Sequence, residues 1–222
     1  MNRRRCGLAG AALCALLAGC AGPLVQPAPA PTGADPRWLA HRAAVTAFDT
    51  FTLNGRVAIQ RGSEGGGAKL RWRQAGAVTD LRIMAPMAQG SFRLEGDATG
   101  VTLTAPDGRR YIAEDFEDLM AAHLSWSFPV DGARYWVRGV PDPAQPVDNL
   151  GLDGDGRLSD LAQAGWRISV LAYREVNGTS LPAKLFLNAD ELKIRLVIDT
   201  WTFAPPFLHP VPAVARAPKA DR

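Results

Sequence analysis

Beyond Cys20 the sequence contains no cysteine, and its three histidines, His41, His123 and His209, stand far apart in the chain. The first absence leaves a folded part with no disulfide, no thiol nucleophile and no thiolate ligand for zinc. The second leaves no base set beside a nucleophile, so no hydrolytic triad can be assembled. The glycine-rich stretch Gly62 to Gly67 lacks the Lys-Ser/Thr and the helix that a phosphate loop requires. Asp153-Gly154-Asp155-Gly156 continues with Arg157 and Leu158, where a calcium loop needs an acid or amide and then glycine, so it reads as a turn. Glu114, Asp115, Glu117 and Asp118 gather at a helix start, where negative charge is favoured. These gaps argue against an enzyme, a metal site and a cofactor.

What is present begins at the N-terminus. Arg3, Arg4 and Arg5 precede an apolar run from Leu8 to Ala18, which is too short to span a bilayer permanently and reads as a secretory signal. The run ends in Leu17-Ala18-Gly19-Cys20, which resembles a bacterial lipobox. That resemblance implies cleavage before Cys20 and lipidation of its thiol, and therefore a chain tied to a membrane outside the cytoplasm. Ala21 replaces the aspartate that holds lipoproteins at the inner membrane, which favours the periplasmic face of the outer one. Removing the signal leaves 203 residues with 22 basic and 22 acidic side chains, so the sequence pI near 9.0 gives no reason to expect a nucleic-acid partner. The expected organisation is a signal over 1–19, a lipidated cysteine with a Pro/Ala-rich tether over 20–34, one folded domain over 35–202 and a Pro/Ala-rich disordered tail over 203–222.

Within the domain, Asp35 and Pro36 predict the cap and first turn of a helix carrying Trp38, Val45 and Phe48 on one face. The period then changes to two. Apolar residues alternate with polar ones at Phe51 to Ile59, Ala68 to Trp72, Thr79 to Ile83, Phe92 to Leu94 and Val101 to Leu103, with Arg61 to Gly67 as a hairpin loop. Helical spacing returns over Glu114 to His123, and a second short helix is expected over Gly132 to Val137. Strands resume at Arg157 to Leu161, Trp166 to Val170, Leu185 to Leu187 and Leu192 to Trp201. The chain is therefore expected to be mainly β: a curved antiparallel sheet with short α-helices laid across one opening and a concave apolar face able to hold a ligand.

Leu53-Asn54-Gly55-Arg56, Leu70-Arg71-Trp72-Arg73-Gln74, Pro86-Met87, Asp107-Gly108-Arg109, Tyr135-Trp136-Val137-Arg138-Gly139 and Ile198-Asp199-Thr200-Trp201 follow one another in the order found in the LolB family. The resemblance runs from about Trp38 to Trp201 and implies an unclosed antiparallel β-barrel enclosing an apolar cavity. It also implies a monomeric outer-membrane lipoprotein that accepts acylated lipoprotein cargo from a LolA-like periplasmic carrier and passes it to outer-membrane lipid. Shielding is needed because each exposed CH₂ costs about 0.8 kcal/mol, on the order of 12 kcal/mol for a chain of about fifteen. The apolar strand faces supply the candidate lining: Val57, Ile59, Leu70, Trp72, Leu81, Ile83, Phe92, Leu94, Ile168, Val170, Leu196 and Ile198, with Trp126, Tyr135 and Trp136 from the helical cover. Pro86 and Met87 form the candidate membrane-insertion tip, with methionine where the family commonly has leucine. Arg71, Arg73, Arg82 and Arg93 fit either a basic face for an acidic carrier or a solvated strand surface. The competing function is an anchored structural subunit that uses the same sheet for protein docking.

Overall fold

A computed structural model describes residues 34–85, 90–124 and 126–202. Helix α1 (Pro36–Thr46) begins as expected: Asp35 Oδ1 accepts from the Arg37 amide at 2.8 Å, and proline occupies the first turn. Eleven antiparallel strands follow: β1 (Thr50–Arg61), β2 (Glu64–Ala75), β3 (Val78–Met84), β4 (Ser91–Asp97), β5 (Gly100–Thr104), β6 (Arg110–Ala113), β7 (Val147–Leu152), β8 (Leu158–Gln163), β9 (Trp166–Val176), β10 (Thr179–Ala189) and β11 (Leu192–Thr202). Helices α2 (Phe116–Leu124) and α3 (Val130–Trp136) lie between β6 and β7 in sequence. The sheet order is β6-β5-β4-β3-β2-β1-β11-β10-β9-β8-β7, so the first and last long strands pair at the centre while β6 and β7 remain as edges. The barrel is not closed.

Three expectations change in detail. Arg61 to Gly67 is not a loop: β1 and β2 pair up to Arg61 opposite Glu64, and only Gly62-Ser63 turns the chain. The ladder satisfies the backbone of Gly65, Gly66 and Gly67 even though they have no side chain to pack. Helix α3 starts two residues earlier than expected, at Val130, which is buried along with Ala133 and Trp136. Strands β6 and β7 were not foreseen. β6 is only four residues long, and β7 carries Asp148, Asn149 and Gly151, residues that strands disfavour, along with two register shifts.

The two ends of the strands differ. The turns after β2, β4, β7 and β9 and the start of β1 lie at one end, where the core is solid and forms a floor. There Phe51 packs against Trp72 and Trp201, with ring centroids 6.2 and 5.4 Å apart. Arg138, 4% exposed, donates to the carbonyl oxygens of Phe48 and Arg134 and lies over the Phe51 and Tyr135 rings. Burial lowers its pKa from the usual arginine value. Helix α1 enters at this end as well, since Arg37 donates to Gly154 in the β7–β8 turn. Tyr173 donates to the Leu158 carbonyl at 2.7 Å, and burial pushes its hydroxyl well above the usual phenol value.

Candidate functional site: an apolar cavity beneath an open mouth

Above the floor, the concave sheet and the helical cover do not meet completely. Val57 and Ile59 of β1, Leu70 and Trp72 of β2, Leu81 and Ile83 of β3, Leu187 of β10, and Ile194 and Leu196 of β11 form one wall of a cavity. Met120 of α2, Val137 just past α3, and Trp126 and Phe128 between the helices form the other. Every lining side chain is apolar, and Trp72, the tryptophan at its base, donates its indole N–H elsewhere, to Gln74 Oε1 at 2.9 Å. The cavity volume is about 40 Å³. That is far below the roughly 300 Å³ at which small-ligand sites begin, and an apolar wall gives a water no partners. A hydrocarbon chain therefore enters only if side chains of the cover move.

Eight of the lining residues expected from sequence stand on this wall: Val57, Ile59, Leu70, Trp72, Leu81, Ile83, Trp126 and Leu196. The other seven lie elsewhere. Leu94 is fully buried between Leu81 and Leu103, and Phe92 is half-buried opposite Ile83. Ile198 sits in the floor opposite Gly55. Ile168 and Val170 are packed among the residues of β8 and β10. Trp136 is buried with its indole N–H on Gln163 Oε1 at 2.8 Å. Tyr135 lies under the guanidinium groups of Arg134 and Arg138, each 5.1 Å from its ring centre. The sequence reading missed Met120, Phe128, Val137, Leu187 and Ile194 as wall residues. Alternation had already put Leu187 and Ile194 on apolar strand faces, but it says nothing about height along the barrel. Cys20, Pro86 and Met87 lie outside the described residues. The flanks of the β3–β4 connection are described, with the Ala85 amide donating to the Gly90 carbonyl at 3.2 Å, and this connection opens toward the end away from the floor.

At that same end a second, wider space of about 620 Å³ opens to solvent. Arg61, Ala189, Asp190, Glu191 and Leu192 line it from the β1 and β10–β11 ends, and Ala164, Gly165 and Trp166 from the β8–β9 turn. Ala121, Trp126 and Ser127 complete it from the cover. It is mixed in character where the cavity is purely apolar. On the outer face of the sheet, Arg71, Arg82 and Arg93 stand in register across β2, β3 and β4. Arg93 is tied to Asp80 and Glu95. Burial raises the Asp80 carboxyl, but the Arg93 hydrogen bonds and the neighbouring arginines outweigh it and leave its pKa below the usual value. Asp153 accepts from the amides of Asp155 and Arg157, and no group of three or more metal-binding side chains occurs among the described residues.

Residues 49–201 match the protein family described as Outer membrane lipoprotein LolB. The chain is 42% identical over 188 residues to the Outer-membrane lipoprotein LolB of Nitrosococcus oceani, covering 84% of this chain and 92% of that one. Identity to the same-named protein of Pseudomonas putida is 39% over 189 residues, with 85% and 92% covered. Among solved structures, a LolA superfamily protein from Nitrosomonas europaea aligns with a TM-score of 0.46 at 7% identity, over 71% of this chain and 87% of that chain.

Proposed function

The chain belongs to the LolB family of outer-membrane lipoproteins, and on that premise we propose that it takes the acyl chains of incoming lipoproteins into the cavity under α2 and α3 and releases them to the outer membrane. The observation that carries this reading is the dry, all-apolar wall formed jointly by five strands and the helical cover. Hydrocarbon moves down a gradient of affinity from a LolA-like carrier to this cavity and then to the bilayer. No covalent step is involved and no cofactor is needed. Cys20 carries the lipid anchor on the periplasmic face, and residues 21–34 are the tether.

The test is a transfer assay with a soluble Cys20→Ala form lacking residues 1–19. Mixed with a carrier loaded with acylated lipoprotein, it is expected to capture the cargo and pass it to liposomes, and to ignore the unacylated protein. Capture that does not depend on acylation would overturn the reading in favour of a protein-docking subunit. Met87, in the segment that joins β3 to β4, is the proposed membrane-inserting residue, and Met87→Glu is expected to accept cargo normally but to slow its release into liposomes at least tenfold. Release at the parental rate would remove Met87 from the mechanism.

A further inference from the structure

The cavity and the open cleft share a single lining residue, Trp126. Yet strand register stacks one directly above the other. Ile59 of β1 pairs with Ile194 of β11, which pairs with Leu187 of β10, and all three line the cavity. One alternation further toward the open end, Arg61 pairs with Leu192, which pairs with Ala189, and all three line the cleft. Two residues along a strand advance about 6.8 Å, so on three adjacent strands the same inward-facing rows cross from the cavity to the cleft within one step. The helical cover behaves alike, with Met120 in the cavity and its neighbour Ala121 in the cleft. Chemistry changes across that step. The lower storey is hydrocarbon throughout, whereas the upper one sets Trp126, Trp166 and Leu192 beside Arg61, Asp190, Glu191 and Ser127.

An apolar bore that opens through one aromatic side chain into a mixed, half-open cleft matches an amphiphile read from tail to head. We propose that the cleft is a headgroup subsite. It holds the glyceryl esters, the thioether and the first peptide units of an acylated chain while the tails occupy the cavity below, and the Trp126 ring is the partition the tails must pass. The inference rests on the acyl-receptor reading and adds a site to it. The cleft's volume of about 620 Å³ is within the range of small-ligand sites and far exceeds that of the cavity. Its indole rings suit the boundary between ester and hydrocarbon, since an indole offers an apolar body and one N–H donor.

The experiment compares two probes on the soluble Cys20→Ala protein: palmitate, which has a tail and a minimal head, and a synthetic dipalmitoylglyceryl-cysteinyl pentapeptide. Ala121→Trp narrows the cleft from an exposed helical position, and Glu191→Lys reverses a charge at an exposed turn. Both are expected to weaken the lipopeptide at least tenfold while changing palmitate affinity less than twofold. Trp126→Ala is expected to speed uptake of both probes several-fold. Unchanged lipopeptide affinity in both cleft variants, or equal losses for the two probes, would overturn the headgroup subsite. Unchanged uptake in Trp126→Ala would overturn the partition. If the parent protein binds neither probe, the acyl-receptor reading fails first and takes this inference with it. Circular dichroism of each variant shows whether it is folded. Should Ala121→Trp misfold, Ala121→Gln tests the same wall with a smaller side chain.

Discussion

Gln163, fully buried at the end of β8, makes four hydrogen bonds with one side chain. Its Oε1 accepts from the Trp136 indole and the Asp142 amide, and its Nε2 donates to the carbonyl oxygens of Asp142 and Gln145. Gln163→Leu keeps the volume but strands these partners, at about 1–3 kcal/mol for each buried group left unpaired. A loss of about 3 kcal/mol or more is expected in urea unfolding. His41 offers a test by pH. Burial, aided by the charge of Arg157, holds its imidazole below the ordinary value of 6.5, and its Nε2 is buried without a hydrogen-bond partner. Asp153 and Glu175 oppose that shift without cancelling it. The unfolded chain therefore takes up the proton first as pH falls below about 6.5, and stability declines from there until the lower native value is reached. His41→Gln is expected to flatten the dependence of the urea midpoint on pH between 5 and 7. Neither residue stands out in the sequence. An inward-pointing glutamine looks like any polar position in an alternating strand, and the charged groups that act on His41 come from β9 and the β7–β8 turn, more than a hundred residues away.

The strands were more legible. Phe51 to Ile59 alternates apart from Gly55, and Leu192 to Ile198 alternates before Trp201 takes the inward place that the pattern gave to Thr200; the motifs Leu53-Asn54-Gly55-Arg56 and Ile198-Asp199-Thr200-Trp201 turn out to be partners in one ladder. Leu53 faces Trp201, Asn54 Nδ2 donates to Thr200 Oγ1 at 3.1 Å, and Arg56 pairs with Asp199 at 3.0 Å. Between them the register shifts at Gly55, where a Cβ would lie 2.3 Å from the Val197 carbonyl oxygen. Gly55→Ala must therefore push β1 and β11 apart. A cost of about 1–3 kcal/mol is expected from overpacking, with Gly66→Ala as a control because nothing lies within 4 Å of its missing Cβ. Equal thermal midpoints for the two variants would show that the seam yields freely. The sequence marked Gly55 as an interruption of an apolar face but not as the contact that requires it. Turn chemistry was also available in the chain: Asn177-Gly178 and Ala164-Gly165 both adopt positive φ at two successive residues and close two-residue hairpins.

At the scale of the molecule, the class of fold and the existence of a concave apolar face followed from periodicity, but the division of that face into floor, cavity and mouth did not. Alternation assigns a side chain to the inside of a sheet, while depth depends on which strands lie side by side and where the cover rests. Leu196 and Ile198 show the difference, since one lines the cavity and the other is packed in the floor. Val57→Phe should fill the cavity at a cost below about 2 kcal/mol and reduce palmitate affinity at least tenfold, a pairing that calorimetry and chemical unfolding together can check. The position of α1 sets a further condition. It enters at the floor, so the proposed anchor at Cys20 is fastened to the end of the barrel opposite the one proposed to meet the bilayer. Fourteen residues separate Cys20 from Asp35, and fully stretched they reach about 50 Å. The twelve residues of β1 stand about 40 Å tall at 3.4 Å each. The leash is thus only slightly longer than the body it holds, enough to let the molecule lie over and touch the membrane mouth-first, with little slack to spare.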